Sequence, residues 1–162
     1  MLVRSIEDDD WSAFYPVFVD VVAAGETYAY PEELGPSEAR ELWVESPPGL
    51  TVVAVDDGGS VLGSAKVGPN RPARGSHVAT ASFMVAPSAR GQGVGRLLGE
   101  WVLEWAREQG YAAMQFNAVV ETNTAAVALW RDLGFTVVGT VPDAFDSVTH
   151  GLVGLHVMHR YL

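Results

Sequence analysis

The chain has 162 residues, no cysteine and a formal net charge of −10. That length suits one domain over 1–162 with a proper core, and the missing cysteines exclude disulfides, thiolate metal ligands and a cysteine nucleophile. The acidic balance speaks against nucleic acid, whose phosphates need clustered Lys and Arg, and favours cationic partners such as protonated amines. No apolar run is long enough to span a bilayer, and Asp8, Asp9 and Asp10 interrupt any secretory leader. A cytoplasmic protein without membrane or nucleic-acid partners is the expectation.

Leu2 to Ile6 reads as a first strand. Asp8 to Asp10 supply an acidic start for a helix reaching about Ala24, with Pro16 as a potential break. Gly25 to Gly35 is irregular, and Ser37 is the cap candidate of a second helix ending near Glu45. Thr51 to Val55 and Val61 to Val67 are apolar strands joined through Asp57-Gly58-Gly59, a hairpin signal. A polar loop from Pro69 to Gly75 precedes a strand over His77 to Ala86.

The next helix carries Val94, Leu97, Leu98, Trp101, Val102 and Trp105 at helical spacing and stops at Gly110. Ala112 to Val119 is a strand. Asn123 caps a further helix with Ala126, Leu129, Trp130 and Leu133 inward, ended by Gly134. Phe135 to Val141 and Gly154 to Arg160 are the last strands. Strands outnumber helices and several are linked by hairpins, so the sheet is expected to be mixed.

The most informative stretch is Met84-Val85-Ala86-Pro87-Ser88-Ala89-Arg90-Gly91-Gln92-Gly93-Val94-Gly95-Arg96, an apolar strand running through three glycines into a helix. Such a turn brings backbone close to a ligand. The helix then offers unpaired N–H groups and the positive end of its dipole, which suits a phosphate or pyrophosphate. A nucleoside-triphosphate loop needs Gly-Lys-Ser/Thr, and no Gly-Lys pair occurs. The dinucleotide pattern Gly-x-Gly-x-x-Gly meets Arg96 or Leu98 where its third glycine belongs.

The pattern Arg/Gln-x-x-Gly-x-Gly/Ala is filled by Arg90, Gly93 and Gly95. It resembles the acyl-CoA loop of the GNAT superfamily of N-acyltransferases. A second stretch, Asn123-Thr124-Ala125-Ala126-Val127-Ala128-Leu129-Trp130-Arg131-Asp132-Leu133-Gly134-Phe135, is similar to that family's Asn-x-x-Ala-x-x-Leu-Tyr-x-x-x-Gly-Phe. The element order resembles the family's over the whole length. The resemblance implies an α/β (α+β) fold: a mixed, mostly antiparallel central sheet with about four helices on both faces, splayed at the cofactor site. It also implies acetyl-CoA as co-substrate, held by Met84, Val85, Arg90, Gly91, Gln92, Gly93, Val94, Gly95, Arg96, Asn123, Ala126 and Trp130.

In that family an amine attacks the thioester directly, and a backbone N–H, here expected from Met84 or Val85, polarises its carbonyl. A base takes a proton from the ammonium, and an acid protonates the departing thiolate. The sequence departs from the family at the acid: Trp130 stands where the tyrosine belongs. An indole N–H donates a hydrogen bond but cannot lend its proton. Trp130 is therefore either a core aromatic or a group that steadies the thiolate.

Glu26 and His77 are the candidate bases, each with a bland alternative as a solvated loop carboxylate or a strand-end histidine. Tyr28 and Tyr30 alternate with Glu26 and would wall an amine pocket. Asn117 interrupts an apolar strand and must pair with backbone or substrate. Asn70 is a turn former or a substrate contact. His150, His156 and His159 do not converge as metal ligands. The runs Ser76-His77-Val78-Ala79, Gln115-Phe116-Asn117-Ala118-Val119 and Gly139-Thr140-Val141-Pro142 are similar to those of microbial acetyltransferases acting on small amino acids and proline-like analogues. The expected function is acetyl transfer to a small-molecule amine. The alternatives are a non-catalytic acyl-CoA-binding module and, further off, a dinucleotide-binding oxidoreductase. The resemblance also implies a homodimer through the C-terminal strands.

Overall fold

The elements follow the expected order: β1 (Leu2–Ser5), α1 (Asp8–Ala23), α2 (Pro36–Trp43), β2 (Leu50–Val55), β3 (Val61–Pro69), β4 (Val78–Val85), α3 (Val94–Glu108), β5 (Ala113–Val120), α4 (Thr124–Asp132), β6 (Thr136–Ser147) and β7 (Gly151–Tyr161). They come from a computed structural model that describes residues 1–162. The strands form one sheet in the order β1-β2-β3-β4-β5-β7-β6. Every neighbouring pair is antiparallel except β4 and β5.

That parallel pair shapes the molecule. β4 and β5 meet only at Val78 with Ala113 and Ala79 with Met114. Beyond these residues the strands part, leaving the second half of β4 with one open edge. A bulge in β5 between Phe116 and Val119 turns that strand further from its register.

Helices cover both faces. On β3, Ser64 accepts a bond from the Trp43 indole of α2 at 2.9 Å, whereas a Cβ placed on Gly63 would lie 3.3 Å from Val94 of α3. Alternate strand residues point to opposite faces, so α2 and α3 lie on opposite sides. The α4 helix shares the α3 side, where Leu133 and Trp130 close over Gly99. Burial joins both layers into one main core, with Phe14, Phe18 and Trp43 on one side and Leu98, Val102 and Met114 among its deepest members.

Four local expectations are corrected. Pro16 lies inside α1 without ending it. Its exposed position lets the carbonyl left without a helical donor, that of exposed Ser12, turn to water. The start of α2 is Gly35 followed by Pro36, not Ser37, and the Glu38 carboxylate accepts the Gly35 N–H at 3.0 Å. On α3 the buried face is Val94, Leu98, Gly99, Val102, Leu103 and Ala106, while Leu97, Trp101 and Trp105 flank it half-buried. Small Gly99 and Ala106 let the helix lie close to its neighbours, which pushes the bulky indoles to the rim. The final hairpin extends well past Val141. The strand absorbs Pro142, Asp143 and Ala144 as a bulge between Val141 and Phe145, and Phe145, Val120 and Val153 form a small second core beneath it.

Candidate active site

A cleft of about 1070 Å³ opens where β4 and β5 part. Its volume exceeds what a small ligand needs, so it has room for a long cofactor arm and a second reactant. Glycine-loop residues line it, and the tip of the β6–β7 hairpin also reaches it.

The glycines play different parts. Gly91 and Gly93 have φ of +76° and +84°, and a Cβ on either would point into open space. Their conformation, not crowding, demands glycine. Gly95 has ordinary helical backbone, and a Cβ there would stand 3.3 Å from Leu129. It sets the close approach of α3 and α4. The N–H groups of Gly91, Gly93, Val94, Gly95 and Arg96 have no acceptor within the protein. Gly93 caps α3 with no side-chain partner, and no acidic residue occupies the first turn. Five unpaired amides at the positive end of a 15-residue helix make an anion cradle. Arg90 stands exposed beside it without an ion-pair partner. Arg96 is instead tied to Asp132 at 3.0 Å. Gln92 bonds back to the Ser88 carbonyl at 2.9 Å and does not line the cleft, so its side chain closes the loop and reaches no ligand.

The open edge of β4 is partly occupied. The Tyr28 hydroxyl donates to the Phe83 carbonyl at 2.7 Å and accepts the Phe83 N–H at 2.9 Å. Burial of that hydroxyl pushes the phenol well above its usual range. Peptide groups alternate sides along a strand. The Ala86 N–H goes to Leu62 of β3 at 2.8 Å, so even-numbered residues face β3 and odd-numbered ones face the cleft. This corrects the pair of candidate carbonyl donors: Val85 presents its N–H to the cleft, whereas Met84 spends its own on β3.

Trp130 forms the floor with Phe83 and Phe116, at ring-centroid distances of 4.7 and 4.8 Å. It is 6% exposed, and the benzo edge (Cζ3) faces Gly99. No protein group accepts its indole N–H, yet no side-chain polar atom of the chain is both sealed from solvent and unpaired. The N–H therefore reaches solvent, so Trp130 packs into the core and keeps an unpaired donor at a residue that lines the cleft. The Asn123 side chain accepts the Ala126 N–H at 3.2 Å, which leaves its amide NH₂ free beside the cleft.

The other candidates separate. Tyr28 and Tyr30 stack with centroids 5.5 Å apart and line the cleft, with Tyr30 also stacked on Phe18. Asn117 lines it too, but it is exposed, not buried: its NH₂ donates to Asn70 at 2.6 Å, and it accepts from Gln115 at 2.8 Å. Asn70 lies behind Asn117, off the cleft wall. His77 is exposed at the closed end of the β4–β5 pair, outside the cleft. Seven residue steps along β4 separate it from Met84, roughly 23 Å.

Glu26 is in the cleft wall and fully engaged. Its Oε2 accepts from the Ser147 hydroxyl at 2.6 Å, and its Oε1 accepts the Thr149 N–H and hydroxyl at 2.8 and 2.6 Å. These bonds, the Ser147 hydroxyl foremost, hold the carboxyl below the usual carboxylate range. Ser147 and Thr149 escaped the sequence reading, and His150 was weighed there only as a metal ligand, because the strand before them was expected to end at Val141. Its signal was the β-branched and aromatic content continuing past Pro142.

The Acetyltransferase (GNAT) family model matches residues 4–135. The chain belongs to the GNAT family. A GCN5-related N-acetyltransferase from Kribbella flavida is 60% identical, with a TM-score of 0.97 over 99% of this chain and 97% of that one. N-acetyltransferase aca1 of Schizosaccharomyces pombe is 33% identical over 76% of this chain and 66% of its own length. An L-methionine sulfoximine/L-methionine sulfone acetyltransferase of Pseudomonas aeruginosa is 38% identical over 56% of this chain and 53% of its own. The chain thus spans two thirds or less of these two relatives. A further GNAT structure, 25% identical with a TM-score of 0.83, holds acetyl-CoA as its cofactor. Acetyl-CoA fits this GNAT cleft as co-substrate, and the homologues support an acetyl-CoA-dependent acyltransferase.

Proposed function

We propose that this GNAT protein moves the acetyl group of acetyl-CoA onto a primary or secondary amine of a small molecule or amino acid by direct attack in a ternary complex. One observation carries the proposal. An amide cradle for phosphates, a free strand edge and an aromatic chamber line a single cleft, large enough for donor and acceptor together. The phosphates of the donor belong on the amides of Gly91 to Arg96, with Arg90 adding charge. Its amide-bearing arm adds to β4 as an extra strand at Val85. Tyr28 holds Phe83, so the edge available to that arm ends there.

Two reactants held in line lose the entropic cost of meeting, which lowers the barrier by several kcal/mol. The Val85 N–H lies on the correct edge to polarise the thioester carbonyl. The Trp130 N–H offers a hydrogen bond to the departing sulfur, and water supplies the proton that indole cannot. Amino-acid-sized acceptors are supported by the Pseudomonas relative, whose name gives L-methionine sulfoximine and L-methionine sulfone.

Trp130 in place of tyrosine favours a second reading, a module that binds acyl-CoA without chemistry. Incubation with acetyl-CoA and a panel of amines that includes L-methionine sulfone separates the two. Thiol release that depends on an amine, with the acetylated amine found by mass spectrometry, supports the transferase. Stoichiometric acetyl-CoA binding without any turnover favours the module.

A further inference from the structure

The cleft contains six titratable or charged side chains: Glu26, Tyr28, Tyr30, Arg90, Arg96 and His150. Five are unsuited to taking a proton from an ammonium. Glu26 already accepts three hydrogen bonds. Tyr28 is bound at both its donor and its acceptor function to Phe83. Tyr30 is a phenol stacked between Phe18 and Tyr28. Arg90 and Arg96 are cations with no lone pair to offer. The His150 imidazole makes no hydrogen bond to the protein, and a neutral imidazole has a ring-nitrogen lone pair free to accept a proton.

His150 lies on the turn joining β6 to β7, and that turn is fastened with unusual thoroughness. The Val148 N–H donates to the Gly25 carbonyl at 3.1 Å. Gly25 has φ of +63°, and a Cβ there would run into Val148 at 2.3 Å. The Thr149 N–H and hydroxyl and the Ser147 hydroxyl all end on Glu26. The His150 N–H donates to that same Ser147 oxygen at 3.0 Å. These contacts tie the hairpin tip to Gly25 and Glu26, and the tip residues Thr149 and His150 line the cleft beside Glu26.

We propose that His150 is the general base that takes the proton from the acceptor amine, and that Glu26 is the positioning residue that holds it there through Ser147 and Thr149. The proposal rests on the transferase reading above. The acceptor arrives as an ammonium and gives one proton to His150. The freed nitrogen lone pair forms the C–N bond, and the C–S bond breaks with its electron pair leaving on sulfur. The second nitrogen proton passes to water as water protonates the thiolate, and the imidazolium returns its proton to solvent. Ammonium plus acetyl thioester thus gives amide, thiol and one proton.

The test is the pH profile of kcat/KM for wild type, His150→Gln and Glu26→Gln, each shown to be folded and to bind acetyl-CoA by calorimetry. The reaction followed is thiol release with L-methionine sulfone, or acetyl-CoA hydrolysis if that amine is not accepted, since water attack uses the same proton acceptor. His150→Gln is expected to lose about a hundredfold or more at neutral pH, to lose the acidic limb of the profile and to bind acetyl-CoA as wild type does. Glu26→Gln is expected to lower kcat but keep the limb, which a merely structural role for His150 would not predict. An active wild type whose His150→Gln variant keeps rate and limb overturns the base assignment and leaves the transferase standing. A wild type that binds acetyl-CoA but turns over neither water nor any amine of the panel overturns the transferase reading, and the base with it.

Discussion

Replacing Tyr28 with phenylalanine removes one oxygen and leaves the ring. The stack on Tyr30 at 5.5 Å and the edge contact with Trp43 at 6.0 Å persist. What disappears is a donor to the Phe83 carbonyl and an acceptor for the Phe83 N–H. Each hydrogen bond contributes about 0.5–1.5 kcal/mol net, so the pair accounts for about 1–3 kcal/mol. In a chain of 162 residues, each kcal/mol moves Tm by about 2–4 °C, giving a fall of about 2–12 °C. Scanning calorimetry measures it directly. Saturating acetyl-CoA should still raise the Tm of the variant, because the amide cradle and Val85 are untouched. The acyl-transfer rate should fall, since the strand edge that seats the thioester has lost its anchor. A variant that melts within about 1 °C of wild type and turns over normally would show that Tyr28 does not hold β4.

Three further outcomes are expected. Gly93→Ala forces a side chain into a left-handed conformation at φ +84°, costing about 1–2 kcal/mol; calorimetry should show lower Tm and acetyl-CoA affinity weakened about tenfold or more, whereas Gly95→Ala asks only the Leu129 tip to give way and should bind nearly normally. Because the folded Glu26 carboxyl lies below its ordinary range, its contribution to stability is complete above the unfolded value, about 4.3, and is lost as pH falls through the folded one. The Tm gap between wild type and Glu26→Gln should therefore be full at neutral pH and close on acidification below pH 4; a gap independent of pH would count against the latch. Trp130→Phe keeps the ring contacts with Phe83 and Phe116 but deletes the free N–H, so kcat should drop several-fold with acetyl-CoA affinity unchanged in a titration.

Features written within one element were legible in the sequence. Gly91 and Gly93 needed their left-handed backbone, Asn123 capped α4, and Gly110 and Gly134 ended their helices, because each depends on neighbours a few residues away. The splay also followed, through the family resemblance of the glycine loop. Features made by distant partners were not legible. Tyr28 meets Phe83 across 55 residues, and Glu26 meets Thr149 across 123. Nothing in either segment announces the other. The strand from Phe135 was expected to end at Val141, yet β6 carries Pro142 in a bulge and goes on to build the hairpin tip. The choice between Met84 and Val85 needed the register of β4 on β3, which fixes the side each amide faces.

The account stands most directly on the glycine loop as the seat of acetyl-CoA. Calorimetric titration of the purified protein with acetyl-CoA, beside a Gly93→Glu variant shown by circular dichroism to be folded, tests it in one experiment. One-to-one binding by the wild type that the variant loses is the predicted result. Equal binding by both proteins, or none by a folded wild type, would contradict it.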